Sequence, residues 1–415
     1  APSSCVGAWE QISLPYTFTD IARTSTAVRL QMAVLATNAV STYFDTVAMS
    51  LDVAVDTTIG TGARFAEFNS LLYAGTTTGL FKWDATDPRF EYVTGSPPNI
   101  TDIVSHTDNR LYIAYGASLK WWYMSTAEVF TQNTQAGADD SKANYFISAG
   151  TAGLYKSLNP NKLAGATDPT AGAWTQVTVG ESAYNINALV SVAADIYMGK
   201  EEGLFSRIGS TTTEISKELR SVRNTNSGKN MQLWKGSIFA PFGGQSLYEY
   251  NIGDNAIGTV SPFDQAPNLV DFSGRVYALA GDEQYAYAFV GGDTGKIEFI
   301  AGKWVGATFK WNSLAQLTAS DVASALISAI TSPSRLWFMD TEGGTAAIKY
   351  YTIPDKYADL TQATSYTFQT GGEFHTGWLS YTFEDQVKGF AYVVAVTENL
   401  SSTKTIDCYY KIDDD

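Results

Sequence analysis

Apolar residues in this chain recur as pairs of short runs that are separated by a turn of small residues. The clearest pair, LLYAGTTTGLFKWD, begins at Leu71 and has an apolar run, a Gly/Thr turn and a second run that carries aromatic residues. Runs of this kind, bounded by turn residues, predict a β-hairpin. Further copies of the pattern begin at Leu111, Tyr145, Ile196, Ile238, Tyr287 and Leu336.

The spacing of these copies predicts the architecture. The residues that mark the end of each turn are Leu80, Leu119, Leu154, Leu204, Leu247, Lys296 and Ala347. Successive markers lie 39, 35, 50, 43, 49 and 51 residues apart, and a four-stranded propeller blade takes roughly 40–50 residues. Since a repeated hairpin cannot bury both of its faces alone, the copies must pack against one another. We therefore predict an all-β fold that contains a β-propeller of about seven blades.

Two more strands complete the predicted blade. A strand that carries a serine precedes several hairpins, at 101–106 (TDIVSH), 187–192 (NALVSV) and 324–329 (SALISA). The weaker outer strands are FEYVTG from Phe90, TQVTVG from Thr175 and TEISKE from Thr213. Residues 317–330 also match a helix with Ser320 as its N-cap, but the repeat places them in a strand. Strands such as KWWYM are apolar on both faces, which favours blades covered on both sides over a half-exposed sandwich.

The residues on either side of the repeats predict partial β-sandwich segments. Residues 1–56 contain a strand with the period-2 pattern of one buried face, formed by Val47, Met49, Leu51, Val53 and Val55. Residues 357–415 contain a further strand and a hairpin, GFAYVVAVTENLSSTKTIDCYYKID. We expect the propeller to occupy residues 57–356. The C-terminal sandwich is either cut short or completed by the N-terminal segment.

The charge balance narrows the range of partners. The chain has 27 Lys and Arg residues against 42 Asp and Glu residues, a net charge of −15. Nucleic acids and anionic membranes are bound through basic surfaces, so neither partner is expected. There is also no run of about 18 apolar residues that would predict membrane insertion. A glycan, a protein or a divalent cation remains compatible.

The two cysteines, Cys5 and Cys408, lie near opposite ends of the chain. Without a CxxC motif or a histidine cluster they indicate no zinc site. A disulfide between them would join the two ends, but we expect two unpaired thiols.

The residue types that usually carry out catalysis are either scarce in this sequence or do not form a recognisable catalytic pattern. His106 falls where Val192 and Ala329 stand in the sister repeats, and nothing supplies His375 with the partners of a Ser-His-Asp site. Carboxylates are too numerous for one glycosidase pair to stand out, and the arginines do not recur at one blade position. The acidic loop DDSKAN, from Asp139, lacks the spacing of a calcium loop. We predict no catalytic, cofactor-binding or metal-binding residues, and no enzyme activity.

Tryptophans are the remaining candidates for contact with a partner. Aromatic side chains at the surface could stack on sugars or pack against a protein. The candidate surface contacts are Trp121, Trp122, Trp174, Trp304 and Trp311. Trp174 also lies in TAGAWTQV, which resembles the Gly-x-x-Trp part of the Asp-box turn in sialidase-like propellers, where that turn has a structural role.

The turns GLFKWD, GLYKSL and GLFSRI, the strand VAMSLDVAVD and the segment GGEFHTGWLSYTFEDQVKGFAYVVAV together carry a family likeness. With these motifs the chain resembles virion-associated β-propeller proteins of tailed bacteriophages, found at the tail hub, stabilising ring or host-recognition apparatus. The resemblance implies a non-enzymatic structural or adhesive component of the virion, with other virion proteins, copies of itself and a host-surface glycan or protein as partners. The alternative is an extracellular bacterial propeller that binds carbohydrate or has a sialidase-like activity.

Overall fold

The structure is a computed structural model, and it describes residues 9–12, 54–55, 58–62, 64–135, 139–171, 174–265, 274–292, 295–331, 333–353 and 408–411. Between Arg64 and Thr352, these residues form seven sheets of three or four antiparallel strands that follow one another along the chain. The sheets are the blades of a β-propeller, numbered 1 to 7 here in chain order. The prediction of an all-β, seven-bladed propeller is therefore confirmed.

Each blade starts at the central channel and ends at the rim. The inner strands are β3 (Arg64–Phe68), β7 (Asp102–His106), β13 (Phe146–Ser148), β17 (Ile186–Val192), β21 (Gln232–Trp234), β25 (Val276–Gly281) and β29 (Asp321–Ser328). The second strands are β4 (Leu71–Gly75), β8 (Arg110–Ala114), β14 (Leu154–Leu158), β18 (Asp195–Lys200), β22 (Ser237–Phe242), β26 (Ala286–Gly291) and β30 (Arg335–Glu342).

The outer half of blades 1 to 6 is made by the next two strands, and the sheet of blade 7 has three strands among the described residues. The third strands are β5 (Leu80–Asp84), β10 (Trp122–Ser125), β15 (Lys162–Ala166), β19 (Gly203–Ile208), β23 (Ser246–Asn251), β27 (Lys296–Val305) and β31 (Thr345–Thr352). The outer strands of blades 1 to 6 are β6 (Arg89–Tyr92), β11 (Phe130–Gln132), β16 (Thr175–Thr178), β20 (Thr211–Glu214), β24 (Ala256–Thr259) and β28 (Thr308–Thr318).

The remaining described elements are short. Strand β9 (Gly116–Lys120) pairs with β12 (Lys142–Ala143), and β2 (Ala54–Val55) pairs in parallel with β6. Strand β1 (Trp9–Ile12) pairs antiparallel with β32 (Cys408–Lys411). The helical turns are the 3₁₀ turns Gly150–Ala152 and Glu218–Val222 and the α-turn Pro262–Gln265.

The inner strands close a circle. Strand β3 contacts β7, each later inner strand contacts the next one, and β29 of blade 7 returns to contact β3 of blade 1. Closure covers the apolar sheet faces that the two end blades of an open stack would expose to water. The strand prediction for residues 317–330 also holds, because β28 ends at Thr318 and β29 supplies an inner strand from Asp321.

Aromatic side chains fill the spaces between blades, as the two-sided apolar pattern predicted. Trp83 of blade 1 and Trp337 of blade 7 have ring centroids 4.8 Å apart, and both indoles are buried. Between blades 5 and 6, Trp234 and Phe309 lie 6.0 Å apart in an edge-to-face arrangement. Aromatic pairs of this geometry add stabilisation beyond the area that they bury.

The second and third sequence copies are placed differently from the prediction. In copy 2, Leu119 belongs to β9, which pairs with β12 outside the blade, so the third strand begins later, at Trp122. In copy 3 the first apolar run is the inner strand β13, and the run from Leu154 is the second strand. The third strand of blade 3 has a weak signal because Gly165 leaves room for the Tyr155 ring, which a Cβ would meet at 2.4 Å.

With this correction the repeat is more regular. The third strands begin at Leu80, Trp122, Lys162, Gly203, Ser246, Lys296 and Thr345, so successive spacings are 42, 40, 41, 43, 50 and 49 residues. The described residues from 54 to 353 belong to one compact unit, and β1 and β32 belong to another. The domain boundaries at 56 and 356 stay predictions, and Cys5 and His375 lie outside the described residues.

Candidate functional site

The propeller presents two different faces at the ends of its channel. Because each blade is antiparallel and the inner strands follow one another in the same direction, every inner strand begins at the same end of the channel. We call this end the mouth face. The turns that join inner to second strands and third to outer strands lie at the opposite end, which we call the tip face.

Charged residues stand at the start of several inner strands. Arg64, Asp102 and Asp321 are the first residues of β3, β7 and β29, Arg275 directly precedes β25, and Lys229 lies shortly before β21. We call these five residues the mouth cluster. Following the ring from blade 2 through blades 1, 7 and 6 to blade 5, their charges run negative, positive, negative, positive, positive.

Two ion pairs in the mouth cluster join neighbouring blades. Arg64 Nε lies 3.7 Å from Asp102 Oδ1, and Arg275 Nη2 donates to Asp321 Oδ1 at 2.9 Å. The Arg275 guanidinium also lies 4.0 Å from the centroid of the Tyr277 ring. The first pair links blades 1 and 2, and the second links blades 6 and 7.

Two side chains reach across the opening to blades that are not their neighbours. The Arg64 guanidinium of blade 1 lies over the ring of Tyr145, directly before the inner strand of blade 3, at 5.8 Å from its centroid. Asn230, before the inner strand of blade 5, donates from Nδ2 to the carbonyl oxygen of Ala323 in blade 7 at 3.1 Å. These contacts place Arg64 and Asn230 at the mouth of the channel.

Burial changes the protonation of this cluster. It raises the pKa of Asp102 to about 6, although the nearby Arg64 charge and the Phe146 N–H, which donates to Asp102 at 2.7 Å, favour the ionised form. Burial lowers the pKa of Lys229, and the positive charge of Arg275 lowers it further. The mouth therefore holds ionisable groups whose charged forms are destabilised by burial, because less water solvates them there.

Sequence reasoning missed the mouth cluster. The arginines look scattered in the sequence, but Arg64 and Arg275 occupy matching positions at the start of the inner strands of blades 1 and 6. A signal was present in TDIVSH and SDVASALIS, where Asp102 and Asp321 each precede an apolar strand residue. An alignment of the two motifs on their serines hides this signal, because it does not superimpose the two aspartates.

The tip face carries the exposed apolar side chains. Among the described residues the large hydrophobic side chains that are most exposed are Val129 (59%), Ile208 (55%), Trp304 (44%) and Val305 (55%). All four lie where a third strand ends or turns into an outer strand, in blades 2, 4 and 6. We call these four residues the tip cluster.

In blade 6 the hairpin of the third and outer strands extends beyond the second strand at this face. At this face the pairing between the second strand β26 and the third strand β27 stops at Ala286 with Gly302. Strands β27 and β28 remain paired beyond that point, through Trp304 with Phe309 to Val305 with Thr308. The Trp304 ring stands edge-to-face on Phe309 at 5.3 Å, and Phe309 is buried. An exposed indole is thus held on a rigid aromatic base.

The structure separates the five candidate tryptophans. Trp121, Trp174 and Trp311 are buried between blades, and each indole N–H donates to an acceptor inside the fold. A partner at the surface cannot reach these three, because blade packing uses their rings. Trp122 is half-buried, and Trp304 is exposed.

The other candidate groups have structural partners. His106 is buried at the end of β7 with Nδ1 2.8 Å from the hydroxyl oxygen of Ser148, and burial lowers its pKa. The main-chain carbonyl oxygens of Asp139 and Asp140 accept hydrogen bonds from Lys156. The described residues contain no group of three or more His, Cys, Asp or Glu placed to hold a metal ion. In that same part of the chain, no helix has the length and apolar character needed to cross a membrane.

Comparisons with known proteins agree on the fold. No protein-family model matches the chain, and no curated protein matches it. Similar solved structures include the extracellular domain of a B. thetaiotaomicron protein described as a one component system (14% identity, TM-score 0.56), virginiamycin B lyase from Staphylococcus aureus (11%, 0.54) and a chain of the Mitotic Checkpoint Complex (10%, 0.51).

These matches cover 74%, 74% and 81% of this chain. The chain spans 40% of the first of those proteins and 99% of each of the other two. Identities this low carry information about fold and none about activity or ligand. The described residues from 64 to 352 therefore form a seven-bladed β-propeller, the fold that these solved structures share.

Proposed function

We propose that this chain is a non-enzymatic structural protein of a tailed bacteriophage particle, in which the propeller is a rigid platform for contacts with other virion proteins and with copies of itself. The observation that carries the proposal is the tip cluster. Exposed apolar side chains on three blades of one face favour a protein contact that spans this face, because apolar area removed from water drives association.

The turn that carries Val129 is held in place by the neighbouring blade. Lys82 Nζ of blade 1 donates to both carboxylate oxygens of Glu128, at 3.0 and 3.1 Å, and the Tyr73 hydroxyl donates to the same carboxylate at 3.3 Å. Glu128 directly precedes Val129 and has a positive φ of 56°. A contact residue that is fixed before binding loses little conformational entropy on association.

Location on a particle tests this proposal directly. Antibodies raised against the chain would be applied to purified tailed particles from the producing strain and viewed by electron microscopy. We expect labels at one fixed position on the tail or particle surface, in several copies. Recovery of the chain solely as a free monomer outside particles would contradict the proposal.

The alternative of an extracellular glycan-active propeller is favoured by one feature, the exposed Trp304 ring. A glycan panel separates the two functions. Release of sugar by the purified chain would contradict a non-enzymatic role. Binding without release, at a site that Trp304→Ala removes, is expected of host-surface glycan contact and of a carbohydrate-binding extracellular propeller alike, so the particle location then decides between them.

A further inference from the structure

We propose that the channel mouth between blades 1 and 3 binds the carboxylate group of a ligand, with the guanidinium of Arg64 as the main donor. The site lies at the end of the channel opposite the tip cluster, so it is separate from the proposed protein contact. It is formed by Arg64, Asp102 and Tyr145.

The first argument is the unused hydrogen-bonding capacity of Arg64. A guanidinium has five N–H donors in a fixed fork. Within the described residues Arg64 donates no hydrogen bond, and its nearest carboxylate oxygen, on Asp102, lies 3.7 Å from Nε. Other arginines pair more closely: Arg275 donates to Asp321 at 2.9 Å and Arg220 to Glu214 at 2.7 Å.

Two further arginines, Arg207 and Arg335, also donate no hydrogen bond within the described chain, but their surroundings differ. Their guanidinium groups lie 5.0 and 4.1 Å from the ring centroids of Tyr155 and Tyr350, where cation–π contact partly replaces hydrogen bonds. Both belong to strand ends on the tip face. Arg64 instead lies at the channel mouth, at 5.8 Å from its tyrosine ring.

The second argument is the position of Tyr145. Its hydroxyl makes no hydrogen bond within the described residues, and burial raises its pKa, so it remains a neutral donor. Arg64 reaches it across the blade 2 strand end, so both residues border the same opening. A ligand oxygen placed there can accept from the guanidinium and from the phenol.

The charge of the site favours a carboxylate over a phosphate. Arg64 is next to Asp102, so the pair together carries little net charge, and a phosphate dianion would face a carboxylate at close range. A carboxylate carries one charge and matches the planar fork of arginine in a bidentate arrangement. The chemical class is therefore a monocarboxylate, either a free organic acid or a carboxylate of a partner polypeptide.

Isothermal titration calorimetry on the full chain tests the proposal. The probes are glucuronate and an N-acetylated Gly-Gly-Ala peptide with a free C-terminal carboxylate, and their matched neutral forms are glucose and the amidated peptide. We expect saturable binding of at least one acid and none of its neutral form. Saturation by glucuronate points to a free acid, and saturation by the peptide points to a polypeptide carboxylate.

Variants assign the site. Arg64→Gln should weaken binding about tenfold or more, because hydrogen bonds to charged groups contribute strongly, and Arg64→Lys should give intermediate weakening because the charge remains but the fork is lost. Arg207→Gln is the matched control and should leave binding unchanged. Circular dichroism would verify that each variant is folded. Unchanged binding in Arg64→Gln, equal binding of the neutral probes, binding of inorganic phosphate in their place, or no saturable binding at all would overturn the proposal.

Discussion

The ammonium group of Lys156 lies 4.2 Å from the centroid of the Trp174 ring, inside the interface between blades 2 and 3. Its side chain is fully buried, and Nζ donates to the main-chain carbonyl oxygens of Asp139 and Asp140. The acidic loop that begins at Asp139 thus supplies main-chain acceptors to a buried lysine. Burial lowers the pKa of Lys156 to about 7, against the opposing effect of the two aspartates.

This burial predicts a pH dependence of stability. Between about pH 7 and 10.5 the unfolded chain holds a proton on Lys156 that the folded chain releases, so the unfolding free energy rises with pH. In Lys156→Met this contribution disappears. Denaturant unfolding at pH 7 and pH 9.5 should show a steeper rise in the natural chain than in the variant, by about 1 kcal/mol per pH unit or more. Equal slopes would show that Lys156 keeps its proton in the fold.

Asp102 predicts the opposite trend at lower pH. Its pKa is raised from 3.8 to about 6 in the fold, so the folded chain binds the proton more tightly and Asp102 contributes stability that is lost as pH rises from about 4 to 6. The Asp102→Asn variant has no titrating group at this position, so its stability does not fall in this way as pH rises. Relative to the natural chain, the variant should gain up to about 3 kcal/mol in unfolding free energy between pH 4 and pH 7.

The substitution also removes the negative charge beside Arg64 and leaves an amide oxygen as the acceptor for the Phe146 N–H, so the stability at any single pH changes for reasons besides the proton. The pH-dependent part of the difference is therefore the readout. Unfolding free energies would be obtained from melting curves recorded from pH 4 to pH 7. If they change with pH by the same amount in the two proteins, the pKa of Asp102 is not raised in the fold.

The sequence predicted the blades wherever a hairpin had a strong contrast between strand and turn. GLFKWD and GLFSRI are examples, since Leu80 and Leu204 follow glycine turns and enter third strands that pack between blades. The signal failed in blade 3, where Lys156 is a buried strand residue and Gly165 replaces an expected apolar side chain. Both exceptions depend on contacts with side chains from other strands or blades, which periodicity within one strand does not record.

The candidate sites were less accessible to sequence reasoning than the fold. The exposure of a tryptophan depends on whether a neighbouring blade covers it. Trp304 and Trp311 lie on one hairpin in similar local sequence, so the sequence did not show which of the two is exposed. The mouth cluster depends on blades that are far apart in sequence. Arg64 and Tyr145 meet only because the ring brings blades 1 and 3 to one opening.

Ring closure predicts unequal effects of two tryptophan substitutions. Trp337→Ala removes a fully buried ring that packs against Trp83 where blade 7 meets blade 1, and it should lower the unfolding free energy by about 3–5 kcal/mol. Trp304→Ala is the matched control at the tip face and should cost less than about 1 kcal/mol. Chemical denaturation of both variants provides the measurement. Similar losses would mean that closure depends little on the Trp83 and Trp337 contact.

A close approach of two glycines positions the loop that crosses the mouth. A Cβ on Gly199, in β18, would meet the carbonyl oxygen of Gly228 at 2.3 Å, and Gly228 itself is anchored by its N–H, which donates to the Pro241 carbonyl at 2.7 Å. Gly228 comes two residues before Asn230, whose amide reaches across to blade 7. Displacing Gly228 therefore disturbs both blade 4 and the channel mouth.

Gly199→Ala should consequently lower the unfolding free energy by about 1–3 kcal/mol, because the obstructing atom is main chain and cannot rotate away. Gly258→Ala is the matched control: Gly258 lies in the outer strand β24, and a Cβ there meets nothing within 4 Å. That control should be neutral or gain up to about 1 kcal/mol, since alanine restricts the unfolded chain. Urea unfolding of the two variants compares them directly. If both glycines tolerate alanine equally, the Gly199 contact does not fix the loop.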